Sequence, residues 1–154
     1  MPEPLSATAA KIVYRDGRAA DVPLLFSSWL GSMKDSMVES KGRIPDISIR
    51  VTSPVFHAGQ HARIDALIAD ADTRIRCAAL FEDLDTVLGW SIARGDCLHY
   101  VFVKDAWRRQ GIGRALIPAE VKRFSTRTRS GDSFIVPLLA GAIYDPFAID
   151  PRTP

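Results

Sequence analysis

The sequence predicts an α/β (α+β) domain whose central sheet is twisted, mostly antiparallel and flanked by helices. Three observations carry this reading. A short strand-like run near Ile12 is followed by an apolar stripe at helical spacing. Three strand-like runs then follow in succession between Thr73 and Val103, with only short turns between them. A glycine-rich turn, Arg108 to Gly113, joins the last of these strands to a helix-like run. Consecutive strands on short turns pair antiparallel, and helices before and after such a meander cover its faces.

The 154 residues suit one domain, with a flexible tail over residues 1–10 and a single folded unit over 11–154. A 47% hydrophobic and 25% charged composition is that of a soluble globular chain. No apolar run approaches the 18 or so residues of a membrane span. Met1-Pro2-Glu3-Pro4 lacks the basic and apolar regions of a secretory signal, and two cysteines make no disulfide framework. The expectation is a cytoplasmic protein with free thiols and no membrane contact.

In chain order, Lys11 to Arg15 reads as a strand ending at the Asp16-Gly17 turn. Asp21 is placed to cap a helix with Pro23 in its first turn. Val22, Leu25, Phe26, Trp29 and Met33 form its core-facing stripe. Residues 35–54, with Gly42, Pro45 and Pro54, read as a polar irregular connection of a length uncommon inside a compact domain unless it serves binding, and Glu39 and Asp46 are its candidate carboxylates. A second helix spans Val55 to Ala69, with Ile64, Leu67 and Ile68 inward. His57 and His61 lie one turn apart on it, but no third ligand stands at a recognised spacing, and no metal is expected. Strands follow at Thr73–Phe81, Thr86–Ala93 and Cys97–Val103, turned at Asp83-Leu84-Asp85 and Gly95-Asp96. Pro118 predicts a kink or an early end to the helix after Gly113. Phe124–Arg129 reads as another strand, 132–140 as a short helix weakened by Pro137, and Ile143–Ile149 as the strand that closes the sheet.

The turn at Arg108-Arg109-Gln110-Gly111-Ile112-Gly113 carries the chemistry. A glycine-rich bend between strand and helix offers backbone N–H groups to an anion, and glycine lets the chain approach phosphate oxygens closely. Gly113 is followed by Arg114-Ala115, which excludes the Walker loop. Leu116 stands where the dinucleotide fingerprint needs a small residue, and the region beyond is basic where that fingerprint needs an acid. The remaining pattern, Gln/Arg-x-x-Gly-x-Gly/Ala, is met by Arg108, Gly111 and Gly113. Residues 104–129 hold eight basic side chains against Asp105 and Glu120, a net +6 that leaves −4 for the rest of a chain of net charge +2. A nucleic acid would use such a patch, but no aromatic-rich basic face or reading helix accompanies it, and a ligand with several phosphates accounts for it.

With that motif, the preceding Val101-Phe102-Val103-Lys104-Asp105-Ala106-Trp107, the Gly89-Trp90 pair in its strand, and Ile12-Val13-Tyr14-Arg15 before Ala19-Ala20-Asp21, the chain from about residue 11 to 124 resembles the GCN5-related N-acetyltransferase (GNAT) family. Short acetyltransferase-like proteins of this build also resemble some encoded by bacteriophages. The resemblance implies a splayed strand at an acyl-CoA site and transfer of an acetyl group from acetyl-CoA to a primary amine. Val101, Phe102 and Val103 would bind the pantetheine arm and polarise the thioester carbonyl. Arg108, Arg109, Gln110, Gly111, Ile112, Gly113 and Arg114 would hold the diphosphate.

The family often places a glutamate on the strand where this chain has Cys97; His99, two residues on, is the candidate base, and Asp96 is the turn-residue alternative. Tyr144 stands near the place of the family's general acid. Only 41 residues follow Gly113, so one closing strand is expected to be absent or exchanged with a second subunit in a homodimer. Cys97 in place of the glutamate and the short end also admit a non-catalytic CoA-binding regulatory or interaction module. The acceptor stays open among small amines, aminoglycosides, polyamines, protein lysines and N-termini.

Overall fold

The computed structural model describes residues 11–40, 53–126, 135–139 and 141–149. Strands β1 (Ile12–Asp16), β2 (Thr73–Leu80), β3 (Asp83–Arg94) and β4 (Cys97–Val103) form an antiparallel meander. Two strands of two residues each, β5 (Arg123–Phe124) and β6 (Ile143–Tyr144), continue the sheet in parallel, and spatial order follows chain order from β1 to β6. Helices α1 (Val22–Ser40) and α2 (Ser53–Ala69) lie between β1 and β2, and α3 (Ile112–Leu116) follows β4.

Each face of the sheet has its own core. Leu25 and Trp29 of α1 and Ile64 and Leu67 of α2 cover Cys77, Val87, Trp90, Ile92 and Tyr100. On the other face, Ile112 and Leu116 of α3 meet Leu88, Ala93, Leu98, Val101, Val103, Phe124 and Leu139. Burial from both sides explains why β4 reads Cys-Leu-His-Tyr-Val-Phe-Val with no polar alternation.

Two bulges set which side chain meets which core. Ile92 faces Tyr100 while Ala93 faces Leu98, so His99 is the unmatched residue. Leu98 and Tyr100, two apart in sequence, therefore enter opposite cores. In β3 the pairs Ala78–Gly89 and Ala79–Val87 leave Leu88 unmatched, and its carbonyl accepts the Lys104 N–H at 2.9 Å. Beside that bulge a Cβ on Gly89 would lie 2.7 Å from the Phe102 carbonyl oxygen. Only glycine fits there.

Asp21 does not act as the expected helix cap. It closes a 3-10 turn (Ala19–Asp21) that leads into α1, and its carboxylate accepts the Arg18 N–H at 2.7 Å. The Arg15 guanidinium grips the same carboxylate with two bonds of 2.8 and 2.9 Å and also donates to the Leu84 carbonyl. One buried ion pair thus ties β1, the start of α1 and the β2–β3 region together.

Other boundaries differ from expectation for local reasons. Residues 35–40, expected to be irregular, continue α1, since no Gly or Pro interrupts them; Pro54 sits at the second position of α2, which proline tolerates. The side chains of Glu39 and His57, and all of Asp46, lie outside the described residues. The β2–β3 turn falls at Phe81-Glu82 rather than at Asp83–Asp85. α3 ends at Leu116, before Pro118, as expected. The strand expected at Phe124–Arg129 is Arg123–Phe124, and residues 127–134 lie outside the described residues. Within the span expected as a short helix, the described part holds a 3-10 turn at Val136–Leu138. The closing strand stops at Tyr144 because Pro146 has no N–H for a ladder, and a 3-10 turn (Pro146–Ile149) follows.

Gly89→Ala should cost about 1–3 kcal/mol in chemical denaturation, because backbone oxygen cannot yield as a side chain does. Asp21→Ala should cost about 3 kcal/mol at neutral pH, since it leaves Arg15 buried without its partner. The hydrogen bonds from Arg15 hold the Asp21 carboxyl below its ordinary value of 3.8. The folded value is the lower one, so this stabilisation is complete above 3.8 and fades as pH falls through the folded value. Denaturation curves of the two proteins should therefore converge in acid.

Candidate functional site

The site begins where two strands part. β4 pairs with β5 through Cys97–Arg123 and Leu98–Phe124, and the Ser125 N–H still donates to the Leu98 carbonyl at 3.1 Å. Beyond that point β4 runs on to Val103, paired with β3 alone among the described strands. Successive backbone groups of a strand point to alternate sides, so half of those between Tyr100 and Val103 face away from β3. They face a cavity of about 320 Å³.

Every residue expected at the cofactor loop and strand lines this cavity except Gln110: Val101, Phe102, Val103, Arg108, Arg109, Gly111, Ile112, Gly113 and Arg114. Ser32, Tyr100, Trp107, Ile135 and Leu138 complete the wall. Gly111 has φ 84° and Arg109 φ 65°, so the loop bends twice through the left-handed region. A Cβ on Gly113 would meet the Ile135 side chain at 3.4 Å. The first intrahelical bond of α3 runs from the Ala115 N–H to the Gly111 carbonyl, which leaves the preceding amides of the turn without a helical acceptor. With only five residues in α3, those N–H groups count for more than a helix dipole does. The Arg108 side chain is structural: its Nε donates to the Val103 carbonyl at 3.0 Å, and Nη1 pairs with Asp105 at 2.8 Å. It fixes the end of β4 against the loop. The cavity thus joins a strand edge that is unpaired among the described residues to turn amides flanked by Arg109 and Arg114, groups that can hold a chain of amides and an anion.

Tyr100 and Ser32, which sequence reasoning did not single out, supply the polar groups beside Phe102. The Tyr100 hydroxyl donates to Ser32 Oγ. Its ring stacks on Trp29 at 5.2 Å and tilts against Trp90 at 5.2 Å, whose Nε1 donates to Ser28 Oγ. Burial raises the phenol above its ordinary value, so it stays protonated and donates. The signal was the spacing on α1: Ser28 and Ser32 are polar residues one turn apart, flanking the stripe that carries Trp29.

The structure does not bring His99 or Tyr144 to the cavity. His99 is the bulge residue, 1% exposed, with Nδ1 sharing a 2.7 Å hydrogen bond with Ser125 Oγ and lying 3.9 Å from the Cys97 thiol. Burial, with Arg94 and Arg123 nearby, pushes its pKa down to about 4. Tyr144 sits on β6, partly exposed, its ring 5.5 Å from that of Phe124. Asp96 holds Arg123, which also pairs with Asp145 at 3.0 Å, and the Arg123 hydrogen bond keeps the Asp96 carboxyl low. His61 stacks on Phe26 and pairs with Asp65. Among the described residues no group of three or more His, Cys, Asp and Glu side chains is placed to hold a metal, and no helix is long and apolar enough to cross a membrane.

No family model matches the chain, and no curated protein does. Solved structures do. An acetyltransferase from Vibrio fischeri matches at 14% identity and a TM-score of 0.45, over 68% of this chain and 79% of that one. A possible acetyltransferase from Clostridium difficile 630 matches at 17% and 0.43, over 68% and 65%. A GNAT family acetyltransferase from Staphylococcus aureus matches at 12% and 0.40, over 86% and 84%. A bacteriophage origin finds no support in these matches.

Both thiols are sealed in the cores, Cys77 pushed up to about 12 and Cys97 to about 11, chiefly by burial. Ellman's reagent at pH 8 should find no reactive thiol in the folded protein and both after unfolding. Fast labelling of Cys97 in the native state would show that the β4–β5 junction opens.

Proposed function

We propose that this chain is an acyl-CoA-dependent N-acyltransferase that moves an acetyl group from acetyl-CoA to a primary amine in the cytoplasm. One observation carries the reading: the run Tyr100–Val103, paired with β3 alone among the described strands, and the loop Arg108–Arg114 line the same cavity. A pantetheine arm is a chain of amides, and a strand edge is a row of matching donors and acceptors. A diphosphate needs N–H groups and positive charge, which Ile112, Gly113, Arg109 and Arg114 offer.

Bound acetyl-CoA would supply an activated acyl group; the rest falls to the protein. A backbone N–H of β4 near Val101 would donate to the thioester carbonyl, where negative charge grows as the amine adds. Phe102, Val103 and Ile112 would exclude water from that carbonyl. Tyr100 is the group this reading assigns to the departing sulfur: its O–H would turn from Ser32 Oγ to give the sulfur its proton, and the Ser32 hydroxyl would then donate to the phenolate left behind until solvent reprotonates it. Its position takes the role expected of Tyr144. The amine proton would leave through solvent at the cavity mouth, because a histidine with a pKa of about 4 remains neutral and buried.

Isothermal calorimetry should show acetyl-CoA binding to the native chain. Gly111→Asp/Gly113→Asp, which puts two carboxylates among the phosphate-facing amides, should weaken it about 100-fold or more. Release of free CoA thiol across a panel of amines and peptides then identifies the acceptor. Equal affinity in the two proteins would remove the site.

A further inference from the structure

The parting of β4 and β5 has a local cause. Their register pairs Cys97 with Arg123 and Leu98 with Phe124, so the next pair in line is His99 with Ser125. No rung forms there. Instead Nδ1 of His99 and Oγ of Ser125 lie 2.7 Å apart, and both residues are buried, at 1% and 5% exposure. His99 is also the extra residue of the β3–β4 bulge, so its bond to Ser125 stands at the step where β4 changes the face it presents. Its Nε2 is buried and has no hydrogen-bond partner among the described residues. A buried donor or acceptor left bare costs free energy, so an aliphatic side chain would suit this spot better unless the ring were needed for something else.

The geometry points to His99 and Ser125 as a wedge, a positioning pair whose side-chain bond replaces the next rung of the sheet and fixes where the acyl-CoA cavity opens. Cys97 closes the gap from the strand side, 3.9 Å from Nδ1. The wedge explains how one strand is paired on both edges at Leu98 and on one edge two residues later. It rests on the N-acyltransferase reading only in naming the ligand of the cavity. It assigns His99 to holding the strands apart and Tyr100, the next residue, to the cavity itself.

The test compares Ser125→Ala, which deletes the bond, with Ser125→Thr, which keeps a hydroxyl. Two readouts are taken on the full chain: calorimetric affinity for acetyl-CoA, and amide hydrogen exchange without ligand at residues 99–103. Loss of one hydrogen bond should weaken acetyl-CoA about fivefold to tenfold in Ser125→Ala. It should raise KM for acetyl-CoA with kcat little changed. Exchange at 99–103 should quicken by a similar factor while amides of β1 and β2 hold, and Ser125→Thr should restore both readouts. Ser125→Cys, close in size but a weak partner, is read in the same way and serves if Ser125→Ala does not fold. Wild-type values in both readouts for Ser125→Ala would overturn the wedge. If the native chain binds no acetyl-CoA, the reading of the cavity falls, and exchange alone still decides: faster with rescue supports the wedge, unchanged overturns it.

Discussion

Everything in the candidate site depends on a strand that, among the described residues, keeps one edge unpaired while buried on both faces. Backbone N–H and C=O groups in a protein interior must find partners, and a sheet normally supplies them from both sides. β4 has β3 on one side throughout, but β5 only as far as Leu98. The free edge is tolerable because a channel runs along it, open to water or to a ligand with its own amides. The cavity is therefore a consequence of how the sheet fails to close. It would vanish if two more rungs formed between β4 and β5.

Several features keep those rungs from forming. The bulge at His99 rotates β4 so that Tyr100 leaves the α3 side and joins Trp29 and Trp90. Gly89 brings β3 close behind the Phe102 carbonyl, pressing β4 against its antiparallel neighbour. Arg108 caps the far end by binding the Val103 carbonyl. On the other side, β5 is held back toward the strand start by Arg123, which spans Asp96 and Asp145. Each contact is small, and together they allow β4 one partner strand past Leu98.

The meander, both long helices and the loop were legible in the sequence because each rests on local signals. Strand composition, helical stripes and turn residues place β1 to β4 and α1, α2 and α3 within a few residues. The turn at Arg108–Gly113 was legible because glycines after a strand and before a helix leave few alternatives. The C-terminal part was not. β5 and β6 are two residues each and pair in parallel, so no alternation or hairpin turn announces them. Roles that depend on a bulge were hidden as well. Pattern reasoning puts His99 and Val101 on one side of a regular strand, but the unmatched residue breaks that alternation and sends Tyr100 to the cavity beside Ser32. Asp21 shows the same limit, since a carboxylate before a helix reads as a cap until Arg15, six residues earlier, is seen to claim it.

The aromatic cluster under the cavity has an optical consequence. The chain has three tryptophans; Trp107 lines the cavity, while Trp29 and Trp90 flank Tyr100, which lines it too. Tryptophan emission from the folded molecule therefore arises around this one cavity. The protein carries an intrinsic dye for whatever enters, with no label attached.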